Sequence, residues 1–326
     1  MSKALAGLLI MLDVCVCGGY WLSIVLPAYN SEKWVDKAIK SVLSQETDYS
    51  YELIVIDDGS EDSTGEIVDK YSENPDVHIV HQENRGFSGA RNAGIDMAAG
   101  EYIMFLDSDD ILLPSSIQSL MKCAVENNAD VVCGNFMRRY KNEECKQGTN
   151  YSFEKVKPLG KLYGQPWGKV YRRSLFDNLR FPEGYWYEDS IFSMIVWQQC
   201  KSAYTIPEYV YEYLMNEDGI TVKSRKSPKS IDSLYVIRAL LKDKSKFNLK
   251  IEDTDYNVFL RTAKLTYRRT CRLGSKVQKA IFVNQCELAD LYFPDNNPDE
   301  SLACFSKALK QHNYRVYLQE CLRDYL

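Results

Sequence analysis

Short apolar runs alternate with longer amphipathic stretches along the first 135 residues of the chain. Each run is rich in β-branched and aromatic side chains, which is typical of a buried strand. Between the runs, apolar residues recur at helical spacing, as at Val35, Ile39 and Val42. The predicted strands cover residues 22–26, 52–56, 77–81, 102–106 and 130–134. Strands that alternate with helices indicate an α/β fold with a mostly parallel sheet flanked by helices.

The remainder of the chain changes character twice. Residues 135–166 are polar and contain several Gly and Pro residues, which predicts irregular connections. After two short predicted strands, the pattern becomes helical from residue 228 onward. The short strands are predicted at 204–206 and 209–213, and the helices at 231–242, 255–273, 276–291, 300–310 and 314–325. We therefore predict an α/β domain over residues 21–220 and a helical C-terminal region over residues 221–326.

Residues 1–20 are predicted to form an N-terminal extension. Lys3 and the apolar run that follows it resemble a short signal peptide, but Asp13 interrupts the pattern and no clear cleavage site precedes Gly18. The run is also too short to span a bilayer. A targeting segment is the alternative interpretation.

The composition is that of a globular protein, with 45% hydrophobic and 26% charged residues. The net charge of −5 argues against bulk nucleic-acid binding. The charge is uneven, because residues 221–280 hold 16 Lys and Arg against 5 Asp and Glu, while residues 1–220 hold 20 against 33. Ten scattered cysteines without metal-ligand or disulfide spacing are typical of a reduced, cytoplasmic protein.

Polar residues follow the ends of three predicted strands. Asn30 follows the first, Asp57 and Asp58 the second, and Asp107 and Asp109 the fourth. Because parallel strands end at one edge of a sheet, these side chains are expected to converge on one crevice. No Gly-rich G-x-G-x-x-G follows the first strand and no G-x-x-x-x-G-K-[ST] occurs, which argues against a dinucleotide oxidoreductase and a P-loop enzyme.

The acidic turn after the fourth strand is the strongest candidate for chemistry. Asp107 and Asp109 flank one residue, so both carboxylates could reach one hard cation. Mg²⁺ and Mn²⁺ prefer oxygen ligands and share them with substrate phosphates. The alternative is that Asp109 or Asp110 caps the helix predicted to begin near Ser115.

Several stretches, in order and spacing, resemble the inverting family-two glycosyltransferases with the GT-A fold, and in particular bacterial enzymes that build surface polysaccharides. The resemblance covers residues 22–220. The matching stretches are Ser23-Ile24-Val25-Leu26-Pro27-Ala28-Tyr29-Asn30, Asp57-Asp58-Gly59-Ser60, residues 84–94, Asp107-Ser108-Asp109, Trp167-Gly168-Lys169-Val170-Tyr171-Arg172-Arg173 and Tyr187-Glu188-Asp189-Ser190. The resemblance implies a nucleotide-sugar donor, a divalent cation (Mn²⁺ or Mg²⁺), a glycan or lipid-linked acceptor and inversion at the transferred sugar.

On the donor side, the resemblance assigns a nucleotide-sugar role to Pro27, Ala28, Tyr29, Asn30, Asp58, Arg91, Asp107 and Ser108. Tyr29 would stack on the base, although a core tyrosine at a strand end is the alternative. Asp58 would accept the uracil N–H, which favours a UDP-sugar, and Asp57 would support the turn. Arg91 would bind phosphate or organise the preceding loop, with a surface salt bridge as the alternative. Asp107 would hold the ribose or the metal, and Asp109 the metal.

On the acceptor side, inverting transfer needs a carboxylate that takes the proton of the acceptor hydroxyl. The resemblance assigns this role to Asp189, while Glu188 either contacts the acceptor or caps the following helix. Trp167 and Trp186 are aromatic candidates for sugar contact, with ordinary packing as the alternative for Trp186. The family's aromatic-Arg pattern is missing after residue 210, and Lys223, Arg225 or Lys226 would have to replace that arginine.

Two other functions remain open at this point. A sugar-1-phosphate nucleotidyltransferase also uses a parallel sheet and a metal, but usually has a Gly-rich loop that is not found after the first strand. A non-catalytic sugar-nucleotide-binding protein is the other alternative, against which the intact Asp107, Asp109 and Asp189 argue.

The helix predicted at 255–273 carries a basic face formed by Arg261, Lys264, Arg268 and Arg272, spaced three or four residues apart. Such a face could meet anionic lipid at the inner face of the cell membrane, or a lipid-pyrophosphate acceptor. A solvated surface and a homodimer contact are the alternatives.

Overall fold

The computed structural model describes residues 19–142, 144–216 and 227–323. The chain forms two compact units, the first of which comprises the chain up to Lys157, Pro166–Arg180 and Lys201–Leu214. The second comprises Pro158–Gln165, Phe181–Cys200 and the chain from Met215 onward. The interpretations placed on residues 1–18 and on Lys223, Arg225 and Lys226 concern residues outside the described ranges.

This division differs from a single boundary at residue 220, because Phe181–Cys200 clusters with the C-terminal helices. The segment is helical after Asp189, as predicted, but its middle forms a π-helix, Phe192–Val196, that leads into a helical turn, Trp197–Gln199. The ring of Phe192 packs within this segment against Phe181 and Trp197, with ring centroids 5.8 and 5.4 Å apart. Lys244 joins the segment to the C-terminal helices, because its ammonium donates to the Met194 carbonyl at 3.3 Å and to the Gln198 side chain at 2.6 Å.

The first unit is built on a mixed sheet. In the described part of the chain it has ten strands, in the order β3-β2-β1-β4-β9-β6-β10-β5, with β7 beside β6 and β8 beside β10. The strands are β1 (Leu22–Ala28), β2 (Tyr51–Asp57), β3 (Val77–His81), β4 (Tyr102–Phe105), β5 (Ile111–Leu112), β6 (Val131–Arg139), β7 (Cys145–Gln147), β8 (Glu154–Val156), β9 (Lys169–Arg172) and β10 (Ala203–Leu214).

The strands that carry the predicted site are parallel. Strand β1 pairs in parallel with β2 and β4, and β2 pairs in parallel with β3. Strand β9, which we did not predict, lies antiparallel between β4 and β6. The polar residues after β1, β2 and β4 therefore share one edge of the sheet, as expected for the predicted α/β fold.

Strand β1 continues past Pro27, where a strand end was expected. Val25 accepts a hydrogen bond from Leu106 on the β4 side, so Pro27, two residues later, faces the same side. The pairing of β1 with β4 ends at Val25, so the missing N–H of Pro27 breaks no ladder bond. Pairing with β2 extends to Ala28.

Four α-helices of the described first unit connect these strands: α1 (Val35–Leu43), α2 (Thr64–Asp69), α3 (Gly86–Met97) and α4 (Ser116–Glu126). Helix α3 lies close to β1, since a Cβ on Gly94 would come within 2.3 Å of a Val25 methyl group. Strand β10 is one strand rather than the two predicted, with a register irregularity between Thr205 and Tyr211.

The second unit confirms the predicted helical C-terminal pattern. Its α-helices after residue 227 are α5 (Asp232–Asp243), α6 (Asp253–Thr270), α7 (Ser275–Tyr292), α8 (Ala303–Lys310) and α9 (Tyr314–Arg323). Lys244 and Asp255 form a fully buried ion pair of 2.7 Å, and Gln198 hydrogen bonds to both. Among the described helices, none has the length and apolar character needed to cross a membrane.

Candidate functional site

The acidic turn follows β4 directly. Leu106 donates its backbone N–H to Val25, and the chain then turns so that the N–H of Asp110 bonds to the carbonyl of Asp107 at 3.1 Å. Asp107, Ser108 and Asp109 are half-buried, whereas Asp110 is buried. The turn therefore presents Asp107, Ser108 and Asp109 at the carboxyl edge of the sheet and directs Asp110 inward.

Asp110 anchors this turn to the end of strand β10. The Tyr211 hydroxyl donates to Asp110 Oδ2 at 2.7 Å, and the backbone N–H of Leu214 donates to Oδ1 at 2.7 Å. The same hydroxyl accepts the backbone N–H of Asp107 at 3.2 Å. Burial, together with the negative charges of Asp109 and Asp107, raises the pKa of Asp110 well above its ordinary value. One alternative was that Asp110 caps helix α4. The structure excludes it, because both oxygens of Asp110 bond to strand β10.

Arg91 holds the carboxylate of Asp107. Its guanidinium donates to Asp107 Oδ1 at 2.8 Å, and its side chain is only 4% exposed. Arg91 lies in the second turn of α3 and not at its start, and its charge is buried, which excludes the surface salt bridge. This ion pair fixes Oδ1 of Asp107, and Oδ2 of the same carboxylate points away from Arg91.

The loops after β1 and β2 are bonded to each other. Asn30, at a φ of 47°, donates its N–H to Ser60 Oγ at 3.0 Å and accepts the N–H of Glu61 at 2.8 Å. Asp57 Oδ1 accepts the N–H of Ser60 at 3.1 Å, so Asp57 supports the turn as expected. His81 lies 2.8 Å from the other oxygen of Asp57. The amide oxygen of Asn30 therefore bonds to the neighbouring loop.

Asp58 is buried and held by two donors. The Gln82 amide donates to Asp58 Oδ1 at 2.6 Å, and the backbone N–H of Arg85 donates to the same oxygen at 2.9 Å. The N–H of Asp58 bonds to the carbonyl of Ala28 at 2.9 Å. These contacts leave Oδ2 as the oxygen of Asp58 that a ligand N–H would meet.

Tyr29 is 45% exposed at the end of β1, while Pro27 and Ala28 are buried in the strand. An exposed ring at this position excludes the alternative of a core tyrosine. It leaves an aromatic face beside the Asp57–Ser60 turn, which is the arrangement expected of a base-stacking residue.

Trp167 is a packing residue rather than an exposed acceptor contact. Only 4% of the residue is exposed. Its ring stacks on Tyr211 and Tyr213, with centroids 4.6 and 5.3 Å apart, and Phe136 packs edge-on at 4.9 Å. The expectation that Trp167 contacts the acceptor is therefore corrected: the face of the ring is covered by the side chains that also position the acidic turn.

The donor set of the acidic turn suits a hard cation that also binds phosphate. Among the described residues, no three His, Cys, Asp or Glu side chains form a ready metal cluster. Mg²⁺ and Mn²⁺ commonly take only one or two protein carboxylates and complete their coordination with phosphate oxygens and water. Asp107 and Asp109 offer such a pair. Burial raises the pKa of Asp110, and the negative charges of Asp109 and Asp107 add to that rise.

The predicted base lies in the second unit, at the start of the π-helical segment. The carbonyls of Glu188 and Asp189 accept the N–H groups of Ile191 and Phe192, both at 3.1 Å. The side chains of Trp186, Glu188 and Asp189 are half-buried. The N–H of Trp186 donates to Asp232 Oδ2 at 3.0 Å, and Lys229 lies 5.8 Å from the centroid of the Trp186 ring.

Sequence reasoning missed the residues that hold these carboxylates. Tyr211 and Gln82 lie 101 and 24 positions along the chain from Asp110 and Asp58, whose carboxylates they bond. Arg269, whose charge acts on Asp189, lies 80 positions from it. Only Gln82 carried a signal, since it lies two residues before the stretch at residues 84–94. The partners of Asp110 and Asp189 depend on pairings between distant segments.

Comparisons with known proteins agree with this fold. Residues 23–180 match the model of Glycosyl transferase family 2. The uncharacterized glycosyltransferase EpsJ of Bacillus subtilis is 31% identical over 61% of this chain and 62% of its own length. GalNAc(5)-diNAcBac-PP-undecaprenol beta-1,3-glucosyltransferase of Campylobacter jejuni is 28% identical over 63% of this chain and 69% of its own. The crystal structure of S. aureus TarS 1–349 with UDP-GlcNAc superposes with a TM-score of 0.73 at 20% identity, covering 92% of this chain and 90% of that one.

The sheet and its flanking helices have the fold of the TarS structure, which confirms the predicted GT-A-like α/β fold class. The match to Glycosyl transferase family 2 is limited to residues 23–180, just under half of the chain. Across the relatives compared, the chain covers between 18% and 70% of their own length, and less than two thirds in most cases.

Proposed function

We propose that the protein is an inverting, metal-assisted glycosyltransferase that moves a sugar from a UDP-sugar to a glycan or lipid-linked acceptor. The observation that carries this proposal is the edge of the first unit, where Tyr29, Asp58 and the acidic turn follow three neighbouring parallel strands. The match of residues 23–180 to the model of Glycosyl transferase family 2 supports the reaction class.

The nucleoside would lie against the loops after β1 and β2. Tyr29 offers its exposed ring to the base, and Asp58 Oδ2 accepts an N–H from it, because Gln82 and Arg85 already occupy Oδ1. A fixed carboxylate acceptor favours a base with an N–H donor, such as uracil. The TarS crystal structure with UDP-GlcNAc supports a UDP-sugar as the first donor to test.

The diphosphate would lie over the acidic turn. Asp109, together with the oxygen of Asp107 that Arg91 does not hold, would bind the Mn²⁺ or Mg²⁺ ion. When bound, such an ion neutralises charge on the departing nucleoside diphosphate. The backbone of the turn is fixed for this purpose by Tyr211, which bonds to Asp107 and Asp110.

Asp189 would act as the general base. Its carboxylate takes the proton from the acceptor hydroxyl as that oxygen attacks the anomeric carbon, and the bond to the diphosphate oxygen breaks on the opposite face of the sugar. This displacement inverts the anomeric configuration. A protonated Asp189 and a free nucleoside diphosphate result, so atoms and charge balance.

A thermal-shift panel of nucleotide sugars with and without manganese tests donor binding. A ligand that binds only the folded state stabilises it by about 2.7 kcal/mol at 100 times its Kd. Asp109→Ala should abolish the manganese-dependent part of UDP binding, whereas Glu73→Ala, an exposed carboxylate in a turn of the same unit, should not. UDP affinities that do not respond to manganese in the parent would refute the metal assignment.

Turnover tests the base. Asp189→Asn keeps the shape of the side chain and removes its basicity, so nucleoside diphosphate release should fall by about 10²- to 10⁴-fold with little change in donor affinity. Glu188→Gln tests the second candidate base, and a larger loss of turnover there than in Asp189→Asn would assign the role to Glu188. Near-parent turnover in Asp189→Asn would place the base elsewhere. Release of pyrophosphate in place of nucleoside diphosphate would indicate a nucleotidyltransferase.

The basic face of α6 supports peripheral contact with an anionic membrane. Arg261 is paired with Asp299, and Lys264 lies 5.6 Å from the centroid of the Phe305 ring, so internal contacts engage part of this face. Arg268 and Arg272 are exposed. Each basic residue near such a surface contributes about 1 kcal/mol, and the attraction weakens with salt.

Co-sedimentation with anionic vesicles at low and physiological salt tests this contact. The double variant Arg268→Glu, Arg272→Glu should sediment less than the parent. The control double variant Lys37→Glu, Lys70→Glu, which carries the same charge change in the first unit, should sediment as much as the parent. Equal sedimentation of all three proteins would favour a solvated face or a dimer contact.

A further inference from the structure

The turn that carries Asp189 contains an unusual backbone conformation. Tyr187, two residues before Asp189, has a φ of 68°, in the left-handed region. A bulky non-glycine residue rarely adopts this conformation, and where one does, surrounding contacts must maintain it. Such outliers often lie at functional sites, so the contacts that hold Tyr187 bear on how Asp189 is presented.

Two parts of the second unit hold the turn from one side. The N–H of Trp186 donates to Asp232 Oδ2 at 3.0 Å, and the Tyr187 hydroxyl donates to Ser230 Oγ at 3.4 Å. Asp232 is itself 3.4 Å from Lys229. The start of α5 thus fixes the backbone at residue 186 and the tip of the Tyr187 side chain.

Arg269 of helix α6 holds the ring of Tyr187 itself. Its guanidinium carbon lies 3.6 Å from the ring centroid, which is the distance of a direct stack. The planar guanidinium can cover an aromatic face in a way that a lysine ammonium cannot. This contact clamps the residue that has the left-handed backbone.

Arg269 is also an electrostatic neighbour of Asp189. Burial lowers the pKa of Arg269, while Tyr187 and the carboxylate of Asp189 act to raise it. An arginine keeps its charge at neutral pH, so the influence is mutual: the guanidinium favours the ionised form of Asp189. The other charged groups around the turn are Glu188 on the turn itself, and Lys229 and Asp232 at the start of α5.

We propose that Arg269 is a positioning residue for Asp189, which fixes its turn through the stack on Tyr187 and keeps its carboxylate ready to accept a proton. The inference rests on the proposed role of Asp189 as the base. Arg269 acts through Tyr187 and through charge, without a bond to the substrate.

The test compares Arg269→Met, Arg269→Lys and the control Arg238→Met, an exposed arginine on α5 of the same unit. The assay is UDP release from UDP-GlcNAc with manganese and water as acceptor, or from the donor that the thermal-shift panel selects. Arg269→Met removes both stack and charge, so kcat should fall roughly ten- to hundred-fold, in line with the cost of misplacing a reacting group. Arg269→Lys keeps the charge but not the planar stack.

The pH profile separates positioning from a merely structural role. Without the guanidinium, the pKa of the base rises, so the acid limb of kcat/KM should move to higher pH by on the order of one unit in Arg269→Met. It should stay in place in Arg269→Lys, where only kcat falls. UDP affinity should match that of the parent in all three variants, because the first unit is unchanged. A parent-like far-UV circular dichroism spectrum and thermal unfolding transition show that the second unit of each variant is folded.

Two results would overturn the inference. One is a parent-like kcat and acid limb in Arg269→Met. The other is an equal loss of kcat in Arg269→Met and in the control Arg238→Met. Failure of the proposed function looks different: turnover would then survive Asp189→Asn, or no donor of the panel would release nucleoside diphosphate in the parent.

Discussion

Removing the Tyr211 hydroxyl should destabilise the acidic turn without disturbing the aromatic ring that carries it. The hydroxyl lies on a fully buried side chain, accepts the N–H of Asp107 at 3.2 Å and donates to Asp110 at 2.7 Å. Tyr211→Phe deletes these two bonds and keeps the ring that stacks on Trp167. The variant therefore isolates the hydroxyl from the packing of the aromatic cluster.

The magnitude follows from what each bond connects. A neutral hydrogen bond contributes about 1 kcal/mol net, and one to a charged partner about 1.5–3 kcal/mol. Allowing for non-additivity, we expect Tyr211→Phe to lower the free energy of unfolding by about 2–4 kcal/mol at a pH above the raised pKa of Asp110, where its carboxylate is ionised. This is a large fraction of the stability of a typical domain, about 5–15 kcal/mol.

The loss should depend on pH with a definite sign. The folded-state pKa of Asp110 is raised above 3.8, so the folded state binds this proton more tightly than the unfolded chain. The cost of the buried charge is absent below pH 3.8 and grows as the pH rises toward the raised pKa. Since the Tyr211 hydroxyl stabilises the ionised form, the loss in Tyr211→Phe should be smaller below the raised pKa of Asp110 than above it.

Guanidinium unfolding followed by circular dichroism measures this loss, with Tyr209→Phe as the control in the same strand. Tyr209 is half-buried and should lose less than about 0.5 kcal/mol. UDP affinity with manganese should also fall in Tyr211→Phe, because the turn that carries Asp107 is less fixed. A loss in Tyr211→Phe no larger than in the control would refute the reasoning.

Three further predictions concern other contacts. Hydrogen bonds to Asp57 and Asp69 raise the pKa of His81 above 6.5, so the stability that His81→Gln removes should be fully present below pH 6.5 and shrink as the pH rises through the raised pKa. NMR titration measures this pKa, and an unshifted value would contradict the prediction. Lys244→Met should lower the free energy of unfolding by about 3–5 kcal/mol, because it leaves the buried carboxylate of Asp255 without its cation. Chemical denaturation measures this loss, and a value below about 1 kcal/mol would contradict the prediction. Gly94→Ala should destabilise by about 1–3 kcal/mol despite the better helix propensity of alanine, because its Cβ would meet Val25 at 2.3 Å; a stabilised variant would show that α3 can shift away.

Much of the fold was determined by sequence pattern alone. Apolar runs of strand length and helical periodicity are local properties, so β1 to β4 and the C-terminal helices lie where the pattern predicted them. Strand β9 escaped prediction because four residues, Lys169–Arg172, are too few to show a period, and only their place between β4 and β6 makes them a strand. Strand β5, with two residues, is the same case.

The candidate site divides along the same line. Its acidic and aromatic members stand at strand ends, which a sequence shows directly, and the parallel sheet brings Asp58 and Asp107 to one edge. The sequence did not show which of these side chains are buried. In the structure Trp167 is buried in the core instead of facing the acceptor, and the buried Arg91 forms an ion pair with Asp107. Hydrogen bonds and ring contacts act over a few ångströms in space regardless of separation along the chain, so only the tertiary structure could decide which side chains hold each carboxylate.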